Sequence, residues 1–159
     1  MLRSNRILLV DDSPHDREMA ITALEHHHLG NEVCVLQDGV EALDYLFRRA
    51  EYANRTDANP AVILLDLKMP RIDGLEVLRQ IKADQALKGI PVVMMTSSRE
   101  EQDLVRSYQL GVNAYVVKPL SFQQFIDAVK IVGAFWAQLN ELPPKEPLSR
   151  EWRDNPPRG

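Results

Sequence analysis

One cysteine stands in a chain of 159 residues, so no internal disulfide can staple the fold. Cys34 sits in the apolar setting EVCVL, which predicts a core position rather than a reactive one. Long hydrophobic runs are missing too. No apolar stretch approaches the ~20 residues that a membrane-spanning helix needs. The opening MLRSNRILLVDDS puts only Ile7–Val10 between Arg6 and Asp11, too short a run for a signal peptide. Nor is there an excess of positive charge: the net charge of −4 argues against a broad nucleic-acid-binding face. These absences together predict a cytoplasmic protein with no membrane partner and no nucleic-acid partner.

What is present is ordinary globular material, 45% apolar and 26% charged, of the size of one domain. Five short apolar runs recur: Ile7–Val10, Glu32–Leu36, Ala61–Leu65, Pro91–Met95 and Ala114–Val117. All but the second are nearly continuous rather than alternating, as parallel strands covered on both faces must be. Helix signals follow them. Ser13-Pro14 reads as an N-cap with proline at the first helical position, and Asp38 as a second cap. Ser98-x-x-Glu101 and Ser121-x-x-Gln124 read as capping boxes. Phe122, Phe125, Ile126, Val129, Val132 and Trp136 form a helical stripe suited to packing on a sheet. The expected fold is α/β, a doubly wound five-stranded parallel sheet.

Ligands of such sheets bind at the carboxyl ends of the strands. Asp11-Asp12 ends the first strand, Asp66 the third, Thr96 the fourth and Lys118-Pro119 the fifth. Three carboxylates gathered on one rim repel one another, and a hard cation such as Mg²⁺ removes that penalty. A carboxylate beside Mg²⁺ can attack a phosphoryl donor and become an aspartyl phosphate. Lys118 and Thr96 are placed to meet the charge on the transferring oxygens. Asp66, on the central strand, suits the nucleophile.

The pieces ILLVDDS (7–13), VILLDLKMPRIDG (62–74), PVVMMTSS (91–98) and AYVVKP (114–119) resemble the receiver domain of two-component response regulators, from about Ile7 to Trp136. The spacing agrees, with Thr96 falling 30 residues and Lys118 52 residues after Asp66. The resemblance implies a flavodoxin-like fold and a phosphoacceptor at Asp66. It implies that Asp12 and Asp66 ligate Mg²⁺ directly, that Asp11 acts through water, and that the Lys68 backbone carbonyl completes the set. It makes Tyr115 the aromatic switch partner of Thr96 and the Lys118–Pro119 peptide cis. Met69-Pro70 and Asp73-Gly74 shape the loop after the acceptor. Lys68 and Ser98, two positions after Asp66 and Thr96, offer no group suited to orienting water, which implies a long-lived phosphate. The extra segment FRRAEYANRTDANP (47–60), with Phe135-Trp136 and Leu142-Pro143-Pro144, resembles the branch of single-domain regulators associated with bacterial phytochromes. That branch implies a sensor histidine kinase, a bacteriophytochrome, as partner.

Residues 1–139 read as the receiver and 140–159 as a proline-rich tail, an arm for docking or homodimerisation through Trp152. With no second domain following, the output is expected to be a change of partner or of oligomeric state. His26-His27-His28 are solvated helix-end residues, because consecutive helical side chains diverge. Arg48-Arg49 and Arg99-Glu100-Glu101 read as solvated faces. Three rival functions use or border on the same site. A relay intermediate would pass the phosphoryl group to a histidine phosphotransfer protein. A haloacid-dehalogenase-type phosphatase would need a second Asp where Lys68 stands. A pseudo-receiver would bind partners without phosphorylation.

Overall fold

The computed structural model describes residues 6–26 and 33–118, together with 123, 124, 127 and 131. Five strands, β1 (Ile7–Val10), β2 (Val33–Leu36), β3 (Val62–Leu65), β4 (Val92–Thr96) and β5 (Ala114–Val117), alternate with helices α1 (Pro14–His26), α2 (Gly39–Leu46), α3 (Gly74–Ala83) and α4 (Glu101–Gln109). The strands form one parallel sheet in the order β2-β1-β3-β4-β5. The three inner strands are buried along their whole length and the two edge strands mostly half-buried. This is the reason for the continuous apolar runs: both faces of the inner strands carry core.

Alternate strand residues feed two cores. Leu8, Val10, Ile63, Leu65, Val92 and Met94 face α2 and α3 and join Leu43, Leu46, Val77, Leu78 and Ile81. Ile7, Leu9, Val62, Leu64, Val93 and Met95 face the other way, toward Ala20 of α1. Each such fully buried side chain contributes roughly 1.5–3 kcal/mol. Cys34 is half-buried against the larger core.

The caps explain where the helices begin. Ser13 Oγ accepts from Asp16 N (3.3 Å), with Pro14 in the first turn. Asp38 Oδ1 accepts from Glu41 N, and Asp73 Oδ1 from Glu76 N, both at 2.9 Å. The box expected at Ser98 is a correction. Helix α4 starts after Glu100, which makes no side-chain cap bond. The Ser98 hydroxyl instead donates to Asp103 Oδ2 at 2.7 Å. The stripe Phe122–Trp136, the Ser121 box, His27, His28 and the tail lie outside the described residues, apart from helical backbone at 123, 124, 127 and 131.

The extra segment folds as a clasp at the amino-terminal end of the sheet. It contains one 3-10 turn, Ala50–Tyr52. Arg55 stacks 4.1 Å over the Tyr45 ring, donates to Tyr45 O (3.0 Å) and pairs with Asp57 (2.9 Å). Arg6 also pairs with Asp57, and it donates to Tyr45 Oη at 3.0 Å. Arg48 is therefore no solvated residue: its guanidinium donates to the Arg55 and Asp57 carbonyls. Arg49 stays exposed, 5.1 Å over Phe47.

Candidate functional site

Strand register assembles the carboxyl-end rim. Val10 pairs with Leu65, so Asp11 and Asp66 leave adjacent strands side by side. The ladder continues one step beyond, with Asp66 N donating to Val10 O at 2.9 Å and Asp11 N to Leu36 O at 3.2 Å. Thr96 pairs with Val117, which puts Lys118 next in line, its N–H on Thr96 O at 2.8 Å. Asp11, Asp66 and Thr96 are buried, while Asp12 is exposed at the mouth.

One carboxylate oxygen from each of Asp11, Asp12 and Asp66 lies within 4.8 Å of the other two. Such a set of hard oxygen donors, open on one side, fits a divalent cation that keeps some of its waters. The Lys118 ammonium sits beside it, 2.7 Å from Asp11 Oδ2, 2.6 Å from Asp16 Oδ2 and 3.5 Å from Asp66 Oδ2. Burial pushes the Asp66 carboxyl up to about 6; Lys118 opposes the shift and Asp11 adds to it. Burial works against charge on Lys118, but its bonds to Asp11 and Asp16 outweigh that and hold its pKa above the ordinary lysine value. Thr96, fully buried, completes the acceptor's surroundings, and its side chain also opposes the rise in the Asp66 pKa.

Asp11, Asp12, Asp66, Thr96 and Lys118, all expected on the rim from the sequence, are brought together here. Asp16 was missed. It is the third residue of α1, and the signal was the Ser13-x-x-Asp16 cap pattern, which reads only as a helix start. Lys68, expected to offer its carbonyl, turns its ammonium toward Asp103 on α4, 3.3 Å away. Tyr115 is half-buried and donates to the Ser98 carbonyl at 3.1 Å, so it engages the loop after Thr96. Pro119, and with it the expected cis peptide, lies outside the described residues. Gly74, expected to shape this loop, does so by allowing a close approach of backbone. A Cβ there would come 2.3 Å from the Asp66 carbonyl oxygen and 2.8 Å from Leu67 Cα. The loop after the acceptor must pass flush against the acceptor's own backbone, with Gly74 N donating to Leu67 O at 2.8 Å.

Residues 7–130 match the response regulator receiver domain. Among similar proteins, response regulator Rcp1 of Synechocystis sp. is 39% identical over 137 residues, 86% of this chain and 92% of Rcp1. A crystal structure of Rcp1 in its Mn²⁺-bound form superposes with a TM-score of 0.79 at 38% identity, covering 87% of this chain and 98% of that one. The phosphorylated cyanobacterial phytochrome response regulator RcpA superposes at 0.81, with 41% identity and coverage of 87% and 98%. The bacteriophytochrome response regulator AtBRR is 59% identical over 88% of this chain and 100% of its own, with a TM-score of 0.69.

Proposed function

Because the chain belongs to the response regulator receiver family of two-component signalling, we propose that Asp66 accepts a phosphoryl group from a histidine kinase. The single observation that carries this is the rim itself: a buried, cation-hungry carboxylate with a threonine hydroxyl and an ammonium beside it. Asp12, Asp66 and the Lys68 carbonyl would hold Mg²⁺, with Asp11 acting through water, and the ion would supply positive charge against the transferring oxygens. Asp66 Oδ2 attacks phosphorus in line with the departing donor nitrogen. Thr96 and Lys118 bind the new phosphoryl oxygens. No other group of the chain has to change covalently, so the chain promotes its own phosphorylation by position and charge alone.

The similarity to RcpA and AtBRR supports a bacteriophytochrome as the kinase. Residues 1–139 act as the receiver in the cytoplasm, and 140–159 as an arm for homodimerisation, with neither nucleic acid nor membrane as partner. Tyr115 serves as the switch. When Thr96 turns to the phosphoryl group, the Tyr115 bond to Ser98 O is the contact that must give way, and α4 is tied to the same loop through Ser98 and Asp103. Lys68 and Ser98 are both engaged by Asp103, so neither orients a hydrolytic water, which supports a long-lived phosphate.

The test is intact-protein mass after incubation with acetyl phosphate and Mg²⁺. The expected result is a gain of one phosphoryl group that disappears with chelator and with Asp66→Asn. A gain that persists in Asp66→Asn places the acceptor elsewhere. Transfer from a phosphorylated bacteriophytochrome kinase then tests the partner.

A further inference from the structure

Lys118 is held by a carboxylate from outside the metal set. Its three donors face Asp11 at 2.7 Å and Asp16 at 2.6 Å, while Asp66 stands back at 3.5 Å. The ammonium and Asp11 are almost fully buried, whereas Asp16 is 23% exposed at the start of α1. Asp16 stands where a capping-box acid turns back to the N-cap amide. That amide, Ser13 N, is already taken by Asp11 Oδ1 at 2.9 Å, which leaves the Asp16 carboxylate to the lysine. Asp11 in turn is divided, one oxygen on Ser13 N and the other on Lys118. A cation drawing on Asp11 competes with the lysine for that second oxygen; Asp16 has no such competitor.

We propose that Asp16 is a positioning residue for Lys118: it anchors the ammonium at the rim and keeps it off the Asp66 oxygen that must take the phosphoryl group. The proposal deepens the reading of Asp66 as acceptor and rests on it. An ammonium released from Asp16 has one strong acceptor left besides Asp11, and that is Asp66, only 3.5 Å away. A direct Lys118–Asp66 pair would occupy the attacking oxygen and compete with the cation for it. Anchored by Asp16, the lysine keeps one donor free to meet a phosphoryl oxygen as it arrives.

The experiment compares wild type with Asp16→Asn and Asp16→Glu in three measurements: the ¹⁵Nζ resonance of Lys118 in metal-free protein, the Mg²⁺ affinity by calorimetry without any donor, and the rate of phosphorylation by acetyl phosphate at saturating Mg²⁺. Asp16→Asn should move the Lys118 resonance, weaken Mg²⁺ binding and slow phosphorylation, each of the last two by roughly tenfold, as losses of residues behind metal ligands do. Asp16→Glu keeps the charge and should recover most of both. An unmoved Lys118 resonance with unchanged Mg²⁺ affinity in Asp16→Asn overturns the proposal, whatever the rate. If wild type takes no phosphoryl group, the acceptor reading fails by itself, and the resonance and the Mg²⁺ titration still decide the place of Lys118.

Discussion

The two ends of this sheet carry opposite charge clusters, and they are solved in opposite ways. At the amino-terminal end, Arg6, Arg48 and Arg55 gather around Asp57 and Tyr45. At the carboxyl end, Asp11, Asp16 and Asp66 gather around Lys118, with Asp12 beside Asp11 and Asp66. The guanidinium groups are satisfied mainly by neutral backbone carbonyls, at Tyr45, Arg55, Asp57 and Ala58, which position charge without adding any. Only Arg55 Nη2 is buried without a partner among the described residues. The carboxylates have few fixed donors: Ser13 N on Asp11, Leu67 N on Asp66, and the shared lysine. A same-sign cluster closed by the chain's own dipoles is architecture. One left short of counter-charge is a place for a cation and a phosphoryl group.

That contrast can be broken from either end. The largest effect is expected at the clasp. Arg55→Ala removes a side chain only 7% exposed, with its ring stacking and four hydrogen bonds, and should cost about 3 kcal/mol in chemical denaturation while phosphorylation by acetyl phosphate survives. An equal loss of phosphorylation in folded protein would show that the two ends are coupled.

At the rim the sign reverses, because the buried carboxylate is a burden on the metal-free fold. The Asp66 pKa of about 6 lies above its unfolded value near 3.8, so both states are protonated below pH ~4 and both ionised above pH ~6. Between those limits the metal-free protein should lose stability as pH rises. Asp66→Asn is free of that charge and should be more stable than wild type at pH 7.5 by about 2 kcal/mol, or several degrees in a thermal scan. The gain should vanish at pH 4 and shrink when Mg²⁺ is added to wild type. A variant less stable than wild type at pH 7.5 would contradict this account.

Protons and cation then compete for the same oxygens. Mg²⁺ affinity should be nearly flat above pH 7 and fall up to about tenfold per unit below pH 6, as calorimetry can follow. The smallest effect belongs to the loop between rim and α4. Tyr115→Phe removes one bond, to Ser98 O, and should cost about 1 kcal/mol while leaving phosphorylation intact. The change should appear in the response of α4 to phosphorylation, read by amide exchange over 101–109.

Much of this was legible in the chain. Ile7–Val10 and Val62–Leu65 announce themselves because a strand buried on both faces admits nothing polar, and the polar residue that follows each one marks the rim. Asp38 was legible as a cap because capping is local chemistry, three residues in reach. Ser98 misled for the same reason: its pattern was right for a cap, but Asp103 lay close enough in space to take the hydroxyl. The segment 47–60 showed as extra length and as a mark of the phytochrome-associated branch, but not as a clasp, because Arg55 finds Tyr45 and Asp57 only once the chain is folded.

The sequence by itself determined the strands, their order of chemistry along the rim and the residues at Asp11, Asp12, Asp66, Thr96 and Lys118. Periodicity and strand ends are read from neighbours one to four positions apart. Only the tertiary structure decided that Asp16 serves Lys118, 102 positions away, that Arg6 meets Asp57, and that Gly74 must lie against the Asp66 carbonyl. Those contacts depend on how helix and loop are rotated against the sheet. That rotation is set by the packing of whole faces, which no short window of sequence contains.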